Sequence, residues 1–219
     1  MSNSTSSLSE EIRNIIERDP VVKNGLARDL INVRALARYV QVEHGVDASI
    51  DAIISAIRRL PVKESAIKID AIGKLILKLT MKNRIVDVAI LNDPEIPRIL
   101  GKFSGEIDYG RGETFRIVAG VDTVRLVIDE KNLNKLTSLM PKKSIRNIAF
   151  NLSEIIVLLE ESTEKTPGVL AAVAEEVAIK GINIVEFMSC IPELIIVFDE
   201  KDALSCYESL QRLSKSIRN

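Results

Sequence analysis

The chain of 219 residues holds one histidine, two cysteines and no tryptophan, and aromatic residues make up only 4% of it. The lone histidine, His44, excludes a histidine-rich metal cluster and leaves any Ser-His or Cys-His dyad dependent on one side chain. It stands in VEHGVD beside a turn glycine and reads as an exposed loop residue. Cys190 and Cys206 form no CxxC pattern, so neither a disulfide scaffold nor a thiolate metal site is expected. Both read as small buried apolar residues in a reducing, cytoplasmic compartment. An excess of one charge is missing too: 30 Lys and Arg face 31 Asp and Glu, so the chain as a whole has no electrostatic hold on nucleic acid and any basic patch must be local. The opening MSNSTSSLSEE has neither a basic n-region nor an apolar h-region, and no apolar run approaches the length of a membrane span. The expectation is a cytoplasmic protein with no membrane partner.

Catalytic chemistry is also sparse. GEIDYGRGE, residues 105–113, is glycine-rich but lacks the Lys-Ser/Thr of a P-loop and opens no helix, so it reads as a connector. Glu160, Glu161 and Glu164 read as a solvated loop, and Lys142 and Lys143 as a surface turn after Pro141. With no nucleophile, base and orienter to assemble, the chain is expected to be no enzyme and to need no cofactor and no metal.

What is present begins with helix. Residues 8–60 carry helical periodicity with a break at Pro20, and Ile50, Ile53, Ile54 and Ile57 recur at i, i+3, i+4 and i+7 behind a cap at Asp47 or Ser49. VRALARYVQ, the turn EHGVDAS and IDAIISAIRRL have the outline of a helix-turn-helix. Its basic residues are Arg34 and Arg38, at i and i+4, and Arg58 and Arg59, at the end of the second helix. They are the candidate nucleic-acid contacts, although Asp51 near the start of the second helix is a poor neighbour for phosphate. Packing on a protein partner explains the same face.

Past residue 62 the chain repeats itself. LVIDEKNL, starting at Leu126, recurs as IVFDEKDA, starting at Ile196, and the aligned aspartates give an offset of 199 − 129 = 70. The same offset places Pro97 on Pro167 and IVDVA at Ile85 on IIVLL at Ile155. Each copy reads strand, helix, strand, strand, helix, preceded by a further strand (LILKLTM in the first, IRNIAFN in the second) that takes the place of the usual last one. That order matches a ferredoxin-like α+β unit with helices on one face of an antiparallel sheet. The expected division is 1–62 helical, 63–144 first unit and 145–219 second unit. LIIVF is apolar on both faces, so a second sheet should cover it, from within the chain or from another chain; a homo-oligomer joined through its sheets is expected.

TPGV, GINI and FDEKDA within residues 153–213 resemble the ACT domain, the small-molecule sensing module of aspartokinases and other amino-acid enzymes; the resemblance is weaker over 74–152. The whole chain resembles archaeal proteins that join a helical segment with a SALARY-like sequence, here RALARYVQ, to tandem ACT domains. No kinase domain is present in the sequence, so aspartokinase itself is excluded as a reading.

At TPGV, Thr166 is expected to accept a hydrogen bond from an early helix N–H, Pro167 to take the first helical position, and Gly168 to clear access to the remaining free N–H groups beside Val169. Such a helix start suits the carboxylate of a free amino acid, and the resemblance places the ligand there, with Asn183 and Ile184 of the GIN turn in contact with it. Ordinary punctuation accounts for the same glycines, Gly181 as a C-cap above all. Under the offset of 70, Arg98 and Glu113 replace Gly168 and Asn183 in the first copy, which implies a site lost there. The resulting expectation is a regulatory protein sensing an amino acid. The alternatives are a DNA-binding regulator whose ACT pair dimerises, and a regulatory or structural subunit of a separate amino-acid biosynthetic enzyme.

Overall fold

The computed structural model describes residues 7–62 and 72–215. It divides into a helical unit, Met1–Lys68, and a mixed unit, Ile69–Asn219.

In the helical unit, α1 (Leu8–Arg18), α2 (Pro20–Ala27), α3 (Val33–Glu43) and α4 (Ile50–Arg59) are each started by a side-chain cap: Ser7, Asp19, Asn32 and Ser49. Pro20 is therefore not only a break. It is the first residue of α2, where its missing N–H costs nothing, while Asp19 accepts from Val21 N at 2.9 Å and Val22 N at 3.0 Å. Ile12, Ile16, Leu36, Ala37, Val40, Ile53, Ala56 and Ile57 form the core of the unit. Between α3 and α4 the chain turns at Gly45, whose φ of +65° suits glycine, and Gln41 Nε2 donates to Ala48 O at 2.8 Å to fix the turn.

The mixed unit is built on β1 (Ile76–Leu91), β2 (Phe115–Ala119), β3 (Thr123–Asp129), β4 (Ile145–Leu159), β5 (Ile184–Cys190) and β6 (Glu193–Asp199). All of its pairings are antiparallel, in one sheet of order β2-β3-β1-β4-β6-β5. Among the described residues, α5 (Ile96–Ser104), α6 (Leu133–Leu139), α7 (Val169–Ala178) and α8 (Ala203–Lys215) accompany it. α5 and α6 bury Leu100, Phe103 and Leu136 on Val86, Val88, Leu126 and Ile128, while α7 and α8 bury Val173, Val177, Cys206 and Leu210 on Ile155, Val157, Ile196 and Phe198.

Two expectations change here. LILKLTM and IVDVAI are one strand, β1, and IRNIAFN and IIVLL are one strand, β4. The first half of β1 pairs with the second half of β4 (Leu79↔Val157), and the second half of β1 with the first half of β4 (Val88↔Ile148). Each copy thus lends its extra strand to the other instead of using it itself. Each long strand also carries a left-handed residue at its middle, Arg84 and Asn151, both with φ of 56°. The ladder shifts register beside them, between Lys82 and Ile85.

The other change concerns the cover. β1, β4 and β6 lie between β3 and β5, so in a flat sheet those strands would be about 19 Å apart. Yet Arg125 Nε on β3 lies 2.9 Å from Glu186 Oε1 on β5. The sheet folds over, and its two halves meet through Ile85, Val127, Leu152 and Val197, with Ala149, Val185 and Met188 beside them. LIIVF is covered from within the chain, which is why Ile195 and Val197 are buried without a second molecule. Full burial of each such valine contributes roughly 1.5–3 kcal/mol.

Charges cross the same seam. Arg125 bonds Asp87 as well as Glu186, and Arg116 Nε lies 3.7 Å from Glu154 Oε2. Burial lifts the Asp87 carboxyl to about 6, outweighing the Arg125 guanidinium beside it. The cysteines divide: Cys206 is buried, its thiol pushed up to about 12 by burial, whereas Cys190 is exposed, contrary to expectation, at the end of edge strand β5.

Candidate functional site

The helix start that the sequence singles out is built by backbone conformation. Gly168 is not inside the first turn of α7; it is the N-cap, with φ of +87°. An L side chain is strained there, so glycine is required by the backbone whether or not anything binds. Its carbonyl accepts Ala172 N at 2.9 Å, and no side chain caps the helix. Thr166 does not accept from the helix; its hydroxyl donates to Ser162 O at 3.1 Å, and Pro167 is exposed ahead of the helix. The first-turn N–H groups are consequently left without a side-chain acceptor, beside buried Val169 and half-exposed Leu170.

Asn183 and Ile184 lie at the opposite end. α7 has 10 residues, about 15 Å of helix, and Gly181, with φ of +68°, ends its C-terminal turn before β5 begins. The sheet register agrees: Ile184 pairs with Phe198, next to Asp199↔Leu152, whereas β4 runs on toward α7 from Leu158↔Glu193. Thr166–Val169 and Asn183–Ile184 therefore lie at opposite ends of α7 and form no single site within one copy. One amino acid cannot touch both groups of one copy. Asn183 is exposed, and its side chain makes no hydrogen bond among the described residues.

The first copy differs more finely than the offset of 70 implies. Ile85 pairs with Asp129 and Leu152 with Asp199, so on the first strand the offset is 152 − 85 = 67, although 70 holds on the third. The connections trade lengths: residues 92–95 lead into α5 and 105–114 out of it, against 160–168 and 179–183 around α7. The counterpart of Gly168 is Glu95, the N-cap of α5, while Arg98 is exposed on the third helical residue. Phe115↔Ile128 and Ile184↔Phe198 likewise make Thr114 the counterpart of Asn183, because β5 bulges between Ile184 and Glu186.

Thr114 is fully committed. Its hydroxyl donates to Glu154 Oε1 at 2.6 Å and accepts from Lys82 Nζ at 3.0 Å, and its N–H donates to Asp129 Oδ2 at 2.7 Å. Lys82 also pairs with Asp129 at 2.8 Å. Next to it Glu113 is held by Lys131 Nζ at 2.6 Å, by Asp108 N and by Asn132 Nδ2, and the hydrogen bond from Lys131 leads in bringing its carboxyl down to about 2. Periodicity could not have revealed this network, since its members are brought together by the sheet.

In the helical unit, Arg34, Arg38, Arg58 and Arg59 are all exposed, as is Asp51 in the first turn of α4. The exposed surface of α3 also carries Tyr39 and Val42, and Tyr39 meets His44 edge to face at 5.6 Å. Among the described residues no group of His, Cys, Asp and Glu could hold a metal ion, and no helix is long and apolar enough to cross a membrane.

No family profile matches the sequence, and no curated protein sequence matches it. Solved structures do. The regulatory subunit of aspartate kinase from Thermus thermophilus, in its ligand-free form, aligns with a TM-score of 0.53 at 13% identity over 64% of this chain and 99% of that subunit. Over that share the chain has the fold of that regulatory subunit. The Thermus flavus regulatory subunit aligns at 0.51 and 13% identity over the same shares. Clostridium acetobutylicum aspartate kinase aligns at 0.52 and 17% identity over 64% of this chain, which spans only 35% of that kinase. Since nearly the whole Thermus subunit is matched by 64% of this chain, about a third of the chain lies outside that likeness.

Proposed function

We propose that the chain is a non-catalytic regulatory protein that senses a free amino acid through its second ACT-type copy. The observation that carries this reading is the α7 start, where an αL glycine N-cap leaves the first-turn N–H groups without a side-chain acceptor. The ligand carboxylate sits on those N–H groups, lined by Thr166, Pro167, Gly168 and Val169. Asn183 and Ile184 serve a ligand of the adjoining unit, which makes a homo-oligomer joined through ACT-type units part of the proposal. A thermal-shift screen with the free amino acids tests it, because a ligand at 100 times its dissociation constant adds about 2.7 kcal/mol. A flat screen, with light scattering reporting a monomer, counts against it.

Two readings stand beside this one. The Thermus proteins are regulatory subunits of aspartate kinase, which favours a subunit that confers regulation on a separate enzyme. The exposed Arg34–Arg38 stripe, with Arg58 and Arg59, favours DNA contact instead. In that case retardation of genomic fragments weakens steeply with salt and disappears in Arg34→Ala/Arg38→Ala.

A further inference from the structure

The seam repeats one arrangement on each half of the sheet. On one half Asp87 of β1 and Arg116 of β2 both pair with Val127; on the other Glu154 of β4 and Glu186 of β5 both pair with Val197. Equivalent places thus hold Arg116 in the first copy and Glu186 in the second. That exchange leaves the seam with three carboxylates, Asp87, Glu154 and Glu186, against two guanidinium groups, Arg116 and Arg125.

The shortfall falls on Asp87. Glu154 accepts the Thr114 hydroxyl at 2.6 Å and faces Arg116, whereas Asp87 has to share Arg125 with Glu186. The Asp87 side chain is 0% exposed, and among the described residues its Oδ1 is buried without a hydrogen-bond partner. Arg125 on β3 and Glu186 on β5 are the charged groups that face it; β4 presents Ala149 opposite, and the seam around it is built of Ile85, Val127, Leu152 and Val197. Burial raises the Asp87 carboxyl to about 6 against the pull of Arg125, and Glu186 adds to the rise.

The two bonds of Arg125 join different things. Its bond to Asp87 stays within the neighbouring strands β1 and β3, whereas its Nε, 2.9 Å from Glu186 Oε1, crosses the seam to the edge strand β5. We propose that the seam is a proton-operated clamp on β5: a proton on Asp87 Oδ1 leaves Arg125 to Glu186 and holds β5 over β3, and loss of that proton draws the guanidinium toward Asp87 and loosens β5. With Asp87 ionised the seam has one negative charge in excess where water is excluded, and either the proton or an opening of the seam relieves it. The inference does not rest on a ligand at the α7 start.

The test is NMR of the full chain between about pH 5 and 7.5, following the Arg125 Nε–H signal and the Asp87 carboxyl carbon. Both titrate with a shared midpoint near 6. Exchange of the Arg125 Nε–H, corrected for the intrinsic effect of pH, is at least about tenfold slower at the acid end of the range. Asp87→Asn keeps the slow exchange at both ends, and Glu186→Gln gives the fast exchange at both. An Arg125 signal indifferent to pH across this range overturns the inference, as do separate midpoints for the two groups in the parent or a titration that persists in Asp87→Asn.

Discussion

The two copies share one sheet and one plan, yet they differ at the end where β2 and β5 begin. In the first copy Thr114 is buried and bonded to Lys82, Asp129 and Glu154, with Glu113 locked by Lys131 beside it. In the second, the counterpart Asn183 is exposed and its amide unengaged. Polar groups that satisfy one another build a scaffold, whereas polar groups left open can take a ligand. The seam shows the same asymmetry in its charges: Arg116 and Arg125 come from the first copy, Glu154 and Glu186 from the second. Asp87 and Glu154 hold equivalent places on the two long strands, 154 − 87 = 67, so the buried acid is common to both copies and its arginines are not.

The comparison is broken most severely by charging the seam. Val197→Asp places an unpaired carboxylate where the halves meet and should cost at least about 3–5 kcal/mol in urea unfolding, whereas Val118→Asp on exposed edge strand β2 should stay within about 0.5 kcal/mol. Equal costs would mean that the halves do not pack together. Ile195→Asn, likewise, should lower stability without changing the oligomeric state, because its cover is internal.

Acid titration separates the two kinds of carboxylate. Asp87 binds its proton more tightly folded, near 6, than at its ordinary 3.8, so its contribution is fully present below about 4 and is lost as pH rises through about 6. Loss on the order of 2–3 kcal/mol across that window should vanish in Asp87→Asn, read from denaturation midpoints. Glu113 has the opposite sign: its contribution is present above its ordinary 4.5 and is lost as pH falls through about 2.

Smaller effects probe the backbone. Gly168→Ala should cost about 1–2 kcal/mol for the αL conformation, and Arg98→Ala in the first copy under about 0.5 kcal/mol, because the two positions are not equivalent. Arg84→Gly should be neutral or stabilising by up to about 1 kcal/mol, the relief of strain being partly offset by glycine's entropy.

Much of this was legible before any fold was drawn. LVIDEKNL and IVFDEKDA fall on third strands and following helical turns in register, because in both copies the strand leads directly into the helical turn and leaves no connection to vary in length. The connections around α5 and α7 hide their length differences from an ungapped comparison, since a gain on one side cancels a loss on the other. KNR in β1 looks like a turn between two strands; Arg84 in the left-handed region instead kinks one continuous strand. Nor does a short apolar run such as LILKLTM reveal which neighbour it will pair with, so strand exchange stayed hidden. TPGV marks the helix start correctly, but the glycine's first duty is its own φ.

The requirement at Gly168 also decides how the ligand reading must be tested, since any substitution there perturbs folding and binding together. Leu170 is half exposed in the first turn of α7 and is free of that constraint. Leu170→Glu offers a carboxylate to the helix N-terminus and should raise stability by about 0.3–1 kcal/mol while competing with the ligand for the same N–H groups. The direct measurement is the thermal shift of the parent and of Leu170→Glu with the amino acid returned by the screen, at about 100 times its dissociation constant. The account predicts a gain of about 2.7 kcal/mol in the parent and essentially none in the variant; a full gain in Leu170→Glu would contradict it.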